Sequence, residues 1–63
     1  MENKAVTSRP RIVKIVRFSY EKLWYKDFIG FEFVVESSTT RDFYVFYDGY
    51  LRGILCRDAV VIN

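Results

Sequence analysis

The stretch Phe43-Tyr44-Val45-Phe46-Tyr47-Asp48-Gly49-Tyr50-Leu51-Arg52-Gly53-Ile54-Leu55 decides the fold. Two runs of aromatic and β-branched residues meet at Asp48-Gly49, and Asp-Gly between such runs is the strongest short-range signal of a β-hairpin. Strand side chains alternate between two faces, so a one-sided core cannot hide Phe43, Tyr44, Phe46, Tyr47 and Tyr50 together. The hairpin therefore implies an all-β chain that keeps some aromatic surface in the open.

Upstream of it, Phe31, Phe33 and Val35 alternate with Glu32, Val34 and Glu36, the pattern of a half-buried strand. Gly30 punctuates its start, and the polar residues 37–41 form the turn that leads into the hairpin. Residues 11–18 are rich in β-branched side chains, with Lys14 and Arg17 on opposite faces, and predict a first strand. Between these strands, residues 19–30 carry Tyr20, Leu23, Trp24, Tyr25, Phe28 and Ile29 at spacings that suit neither strand nor helix. Tyr20, Leu23, Trp24 and Asp27 fit one face of a short helical turn, but the segment reads as a long ordered loop. Downstream, Cys56-Arg57-Asp58 predicts a single tight turn and residues 59–62 a last short strand. Residues 1–10 are polar and end in Ser8-Arg9-Pro10, where proline cannot donate to a ladder, so they read as a flexible N-terminal arm ahead of one domain over residues 11–63.

The hairpin register is open at this level. Phe43, Val45 and Tyr47 are expected to point inward, and Tyr44 and Phe46 outward. A two-residue Asp48-Gly49 turn would pair Tyr47 with Tyr50, Phe46 with Leu51, Val45 with Arg52 and Tyr44 with Gly53, which sets Arg52 on an apolar inner face. A bulge around Gly49 would shift the register by one and bring Arg52 out beside Phe46, and on that ground the bulge is preferred.

With 63 residues the chain makes one domain, and a domain of this size buries only about 60% of the surface its unfolded chain exposes. It has a single Cys, Cys56, and no His, so neither an intrachain disulfide nor a Cys/His zinc site can reinforce it. Stability must come from burial, which suits a chain that is 51% hydrophobic and 19% aromatic. The lone thiol fits a reducing compartment. No apolar run reaches the roughly 18 residues of a membrane span, and Met1-Glu2-Asn3-Lys4-Ala5 lacks the layout of a signal peptide. The expectation is a cytoplasmic protein with no membrane span.

Catalysis is disfavoured, because the commonest general base is absent and Cys56 has no imidazole to activate it. Glu32 and Glu36 could form a carboxylate pair, but alternating Glu is the ordinary solvent face of a strand. Gly30, Gly49 and Gly53 stand one per turn and make no phosphate-cradling loop. Cys56 beside Arg57 could be a reactive thiol, and is better read as a small core residue at a strand end. No enzyme activity, cofactor, metal or small-molecule substrate is expected.

Five short strands in so small a chain favour a curled or closed sheet. The sequence here resembles the SH3-like small-barrel superfamily. The shared features are the first strand Arg11-Ile12-Val13-Lys14-Ile15, a long loop ending in Phe28-Ile29-Gly30, the Val45-Phe46-Tyr47-Asp48-Gly49 segment, and a short turn before Val60-Val61-Ile62. Within that superfamily it is most similar to the small peripheral proteins of photosystem I of the E type, through the first strand, Ser19-Tyr20 at the start of the loop, and Val60-Val61. It lacks that family's proline after the first strand, and it is more aromatic. The resemblance implies a five-stranded SH3-like barrel with a long first loop, serving as an accessory subunit of a larger assembly.

The aromatic surplus then carries the function. Trp24, Tyr44, Phe46, Tyr50 and Arg52 are the expected contact surface, with Tyr25 as an alternative to Trp24. Tyr, Trp and Arg dominate protein-protein hot spots, so docking on a larger protein, as accessory subunit, regulator or inhibitor, is the first reading. The second is nucleic-acid binding, in which the same aromatics stack bases and Arg9, Arg11, Lys14 and Arg17 hold phosphates. A net charge of only +2 favours the first. The purely structural alternative is that the long loop folds over the sheet and Trp24 packs on Phe46.

Overall fold

A computed structural model describes residues 10–63. The arm expected over residues 1–10, Arg9 included, thus lies outside the described residues except for Pro10. Five strands follow, β1 (Ile12–Ile15), β2 (Glu32–Ser38), β3 (Asp42–Tyr47), β4 (Tyr50–Leu55) and β5 (Ala59–Val61), with a 3-10 turn over Cys56–Asp58 between the last two. Every neighbouring pair is antiparallel and the order across the sheet is β4-β3-β2-β1-β5. The chain is all-β, in accord with a small SH3-like barrel, although β4 and β5 do not pair to close it. No helix among the described residues is long and apolar enough to cross a membrane.

Alternation builds the core. Val13 and Ile15 of β1, Phe43 and Val45 of β3, Ile54 of β4 and Ala59 of β5 are buried on the inner face, and Tyr25 joins them from the long loop. The first strand is shorter than the expected residues 11–18, because past Ile15 the chain leaves the ladder. The Val16 and Arg17 N–H groups both donate to the Asp58 carbonyl, at 2.8 and 3.3 Å. The β2 strand runs further than expected, through Ser38, and bulges at Glu36 between the Val35–Val45 and Ser37–Tyr44 pairs.

The long loop is ordered and not helical. It is a succession of tight turns, with N–H groups of Leu23, Lys26, Phe28 and Phe31 donating to carbonyls three residues earlier. These turns throw Trp24, Tyr25 and Phe28 onto the inner face of the sheet.

The expected bulge at Gly49 is not formed. The hairpin keeps full register, Tyr47 with Tyr50, Phe46 with Leu51, Val45 with Arg52 and Tyr44 with Gly53. Asp48 at φ 55° and Gly49 at φ 82° supply the two left-handed residues that a two-residue hairpin turn requires. Arg52 therefore does share the face of Val45. Its position is tolerated because the guanidinium sits over the rings of Trp24, Tyr47 and Tyr50.

Candidate functional site

Trp24 is the centre of the inner-face cluster. Its ring stacks on Tyr47 with centroids 5.3 Å apart and planes 23° apart, and meets Tyr25 edge-on at 5.5 Å, Phe33 at 5.7 Å and Phe28 at 5.8 Å. Its indole N–H donates to the Gly53 carbonyl at 2.8 Å, so an outward group of the β4 edge is capped by the loop. Arg52 covers this cluster. The guanidinium carbon lies 5.7 Å from the Trp24 centroid, 5.9 Å from that of Tyr47 and 5.6 Å from that of Tyr50, and Nε donates to the Tyr47 carbonyl at 3.2 Å. Tyr50, beyond the arginine, is 66% exposed.

The outer face of the same hairpin carries Phe46 and Leu51, paired across the strands and both more than half exposed. Exposed Val34 on β2 is paired with half-buried Ile12 on β1, and the Ile12 carbonyl accepts from the N–H of exposed Ile62. Tyr44 is different. Its ring lies over Gly53, where an added Cβ would sit 3.3 Å from the ring, so Tyr44 is partly buried by covering a residue that has no side chain.

The five expected contact residues are thus divided between two faces. Trp24, Tyr50 and Arg52 come together on the inner face, and Tyr47 joins them. Phe46 lies on the opposite face with Leu51, and Tyr44 packs over Gly53. Arg52 beside Phe46, which the bulge would have produced, is not the arrangement observed. Neither is Trp24 on Phe46, since the indole rests on Tyr47, Phe28 and Phe33 instead. Tyr25 is no surface residue at all, being fully buried.

The basic residues of the nucleic-acid reading are dispersed. Lys14 is exposed opposite Glu32 and Val60, Arg17 donates to the Arg57 carbonyl, and Arg11 is exposed ahead of β1. Among the described residues the aromatic cluster has Arg52 as its cation, while Arg57 lies over Tyr20.

A polar knot behind the cluster fixes the long loop, and sequence reading does not find it. Asp58 is fully buried. Its carboxylate accepts from the Ser19 N–H at 3.0 Å, from the Ser19 hydroxyl at 2.5 Å and from the Tyr25 hydroxyl. The Tyr25 oxygen in turn accepts from the Leu55 N–H at 3.3 Å, and Arg57 donates to Ser19 Oγ at 3.0 Å and to the Tyr20 hydroxyl at 2.9 Å. Burial by itself raises the Asp58 carboxyl, but the bonds from Ser19 and Tyr25, with the charge of Arg57, outweigh it and hold the group below the usual carboxylate range. Burial and the bond to Asp58 push the Tyr25 phenol far above its ordinary value, so it stays protonated and donates. With every oxygen bonded and no exposure to solvent, this carboxylate positions the loop that carries Trp24.

Cys56 is half-buried against the core, and its N–H donates to the Arg41 carbonyl at 2.8 Å. Among the described residues no group of three His, Cys, Asp or Glu side chains is placed to hold a metal ion. Comparison with known proteins finds no family model, no curated relative and no solved structure that matches the chain.

Proposed function

We propose that this chain is a non-enzymatic binding module that docks on a larger protein through the tip of the β3–β4 hairpin. The observation that carries the reading is the exposure of all six residues 46–51, four of which are Phe46, Tyr47, Tyr50 and Leu51. Tyr47 packs on Trp24, but Phe46 and Leu51 on the outer face and Tyr50 on the inner one join no core, and large apolar side chains left exposed together at a hairpin tip suit an interaction site. Arg52 and Trp24 give the inner side of the tip the composition of a hot spot, a rigid aromatic anchor beside an arginine. Tyr44 contributes mainly by stiffening the hairpin over Gly53.

The test is comparative capture from the native host with the wild-type chain, Tyr50→Ala, Phe46→Ala and a Lys14→Ala control on the far strand. Docking through the tip requires a co-eluting protein that the two hairpin variants lose and the control retains. Electrophoretic shift with single-stranded and duplex DNA or RNA runs in parallel. A complex that weakens steeply with salt and survives both hairpin variants would assign the chain to nucleic acid instead.

A further inference from the structure

The end of the β3–β4 hairpin away from its tip carries a second feature. Between the β2–β3 turn, the end of β4 and the start of the long loop lies an open cleft of about 430 Å³, lined by Tyr20, Thr40, Arg41, Leu55, Cys56 and Arg57. Its lining brings together two arginines, a threonine and a tyrosine, and among the described residues no carboxylate lines it. Asp58 is buried and bonded to Ser19 and Tyr25, and Asp42, next to Arg41, is half-buried in β3 outside the lining.

We infer that this cleft binds a phosphate-bearing small molecule, its phosphate held by Arg41 and Arg57 and an apolar or aromatic body resting on Leu55 and the Tyr20 ring. One of its two guanidinium groups is prearranged. Arg57 is fixed through Nε on Ser19 Oγ and Nη2 on the Tyr20 hydroxyl, with its guanidinium 5.6 Å from the Tyr20 centroid. Tyr20 accepts that bond and keeps its own O–H proton to donate. Arg41 is anchored at its base on both sides, its N–H donating to Thr39 Oγ1 at 3.2 Å and its carbonyl accepting from Cys56 at 2.8 Å. The Arg57 guanidinium, already held in place, loses little freedom when a ligand arrives, and Arg41 adds its charge from an ordered backbone.

Charge and donor count select phosphate over carboxylate. One arginine satisfies a carboxylate through two parallel bonds. A phosphate monoester brings about −1.5 to −2 charge and three terminal oxygens, which matches two guanidiniums supplemented by the Thr40 and Tyr20 hydroxyls. The volume lies at the lower end of the range for small-molecule sites, roughly 300–1,000 Å³, enough for one phosphate and a ring-sized body. Binding alone is inferred, since among the described residues no carboxylate, His or metal-ligand set lines the cleft.

Titration of the full chain with phenyl phosphate, inorganic phosphate, phenol and benzoate, followed by NMR of backbone amides and arginine Nε–H groups, tests this directly. The expected result is saturable shifts at Thr40, Arg41, Cys56 and Arg57 with phenyl phosphate, weaker ones at the same residues with inorganic phosphate, and none with phenol. Arg41→Gln, on an exposed residue outside the Asp58 knot, should leave the melting curve unchanged and weaken phenyl phosphate by about tenfold or more. Phe46→Ala should leave this binding untouched, so failure here is separable from failure of the docking surface. Shifts that are absent, that do not saturate, or that persist in Arg41→Gln overturn the site. Benzoate bound as tightly as phenyl phosphate overturns the choice of phosphate.

Discussion

The two ends of the β3–β4 hairpin are built from the same kinds of residue and have opposite surroundings. At the Asp42–Leu55 end, Phe43 and Ile54 are paired and buried, Tyr25 of the long loop bonds the Leu55 N–H, and Asp58 ties that loop to the following turn. At the Tyr47–Tyr50 end, Phe46, Tyr50 and Leu51 are each more than half exposed, and Tyr47 is partly exposed beside Trp24. Residue type does not explain the difference, since aromatic and aliphatic side chains stand at both ends. Reach does: the loop over residues 19–30 is anchored at Asp58 and extends as far as Trp24 over Gly53 and Tyr47, and nothing among the described residues covers what lies beyond. Folding covers the inner face at one end of the hairpin with the long loop and leaves the tip at the other uncovered.

The strongest way to break this contrast is to undo the anchored end. Asp58→Ala removes the acceptor for three bonds and leaves the Tyr25 hydroxyl and the Ser19 N–H inside without partners. A loss of about 3–5 kcal/mol is expected, enough to unfold most of a domain this small at room temperature. Loss of the β-sheet circular dichroism signal checks it, and a variant that melts within a degree or two of wild type would show that the knot does not hold the loop. The same carboxylate sets an acid limit. Its folded pKa lies below its unfolded value, so its contribution is complete above about pH 4, where the unfolded group ionises, and is lost as pH falls through the folded pKa. Urea midpoints should accordingly drop on acidification below about pH 4, and Asp58→Asn should flatten that part of the profile.

Val45→Ala comes next, at about 1.5–3 kcal/mol, because Val45 is fully buried between β2 and β4. Denaturant unfolding measures it. Gly49→Ala follows at about 1 kcal/mol. The space beside Gly49 is open, so the cost there is the left-handed backbone at φ 82° and not a clash. A neutral Gly49→Ala would mean that the turn relaxes out of its two-residue form, which would reopen the hairpin register.

What is legible in the sequence follows from distance along the chain. The Asp48-Gly49 hairpin, the inward set Phe43, Val45 and Tyr47, the alternation from Phe33 to Val35 and the turn at Cys56–Asp58 all rest on neighbouring residues, whose periodicity is visible in one dimension. The placement of Arg52 is not legible in this way, because it depends on Trp24, which folds back from 28 positions away. An arginine on an inner face looks like a conflict until an indole is known to lie beneath it. The Asp58 knot is hidden for the same reason, its partners Tyr25 and Ser19 standing 33 and 39 positions away. A faint signal exists in the acidic residue directly before the apolar run Ala59-Val60-Val61, since a carboxylate at the start of a core strand needs partners. The bulge at Glu36 leaves no mark on the alternation that surrounds it.

The smallest expected change in stability belongs to Phe46→Ala, and it is the most informative because Phe46 adjoins Val45. Phe46 is 59% exposed, and the residue paired with it across the strands is Leu51, itself 51% exposed. A cross-strand pair of this kind contributes roughly 0.2–1 kcal/mol, so the melting midpoint should barely move. In the complex the same side chain becomes buried. Truncating a central hot-spot aromatic costs about 2 kcal/mol or more, close to a thirtyfold loss of affinity, so the whole effect should appear in partner capture and almost none in the melt. The neighbouring pair then dissects the molecule: Val45→Ala lowers stability and spares binding by whatever remains folded, while Phe46→Ala spares stability and removes binding. If Phe46→Ala instead destabilises the domain as much as Val45→Ala does, the outer face of the hairpin is covered by part of this same chain, and the proposed docking surface is occupied before any partner arrives.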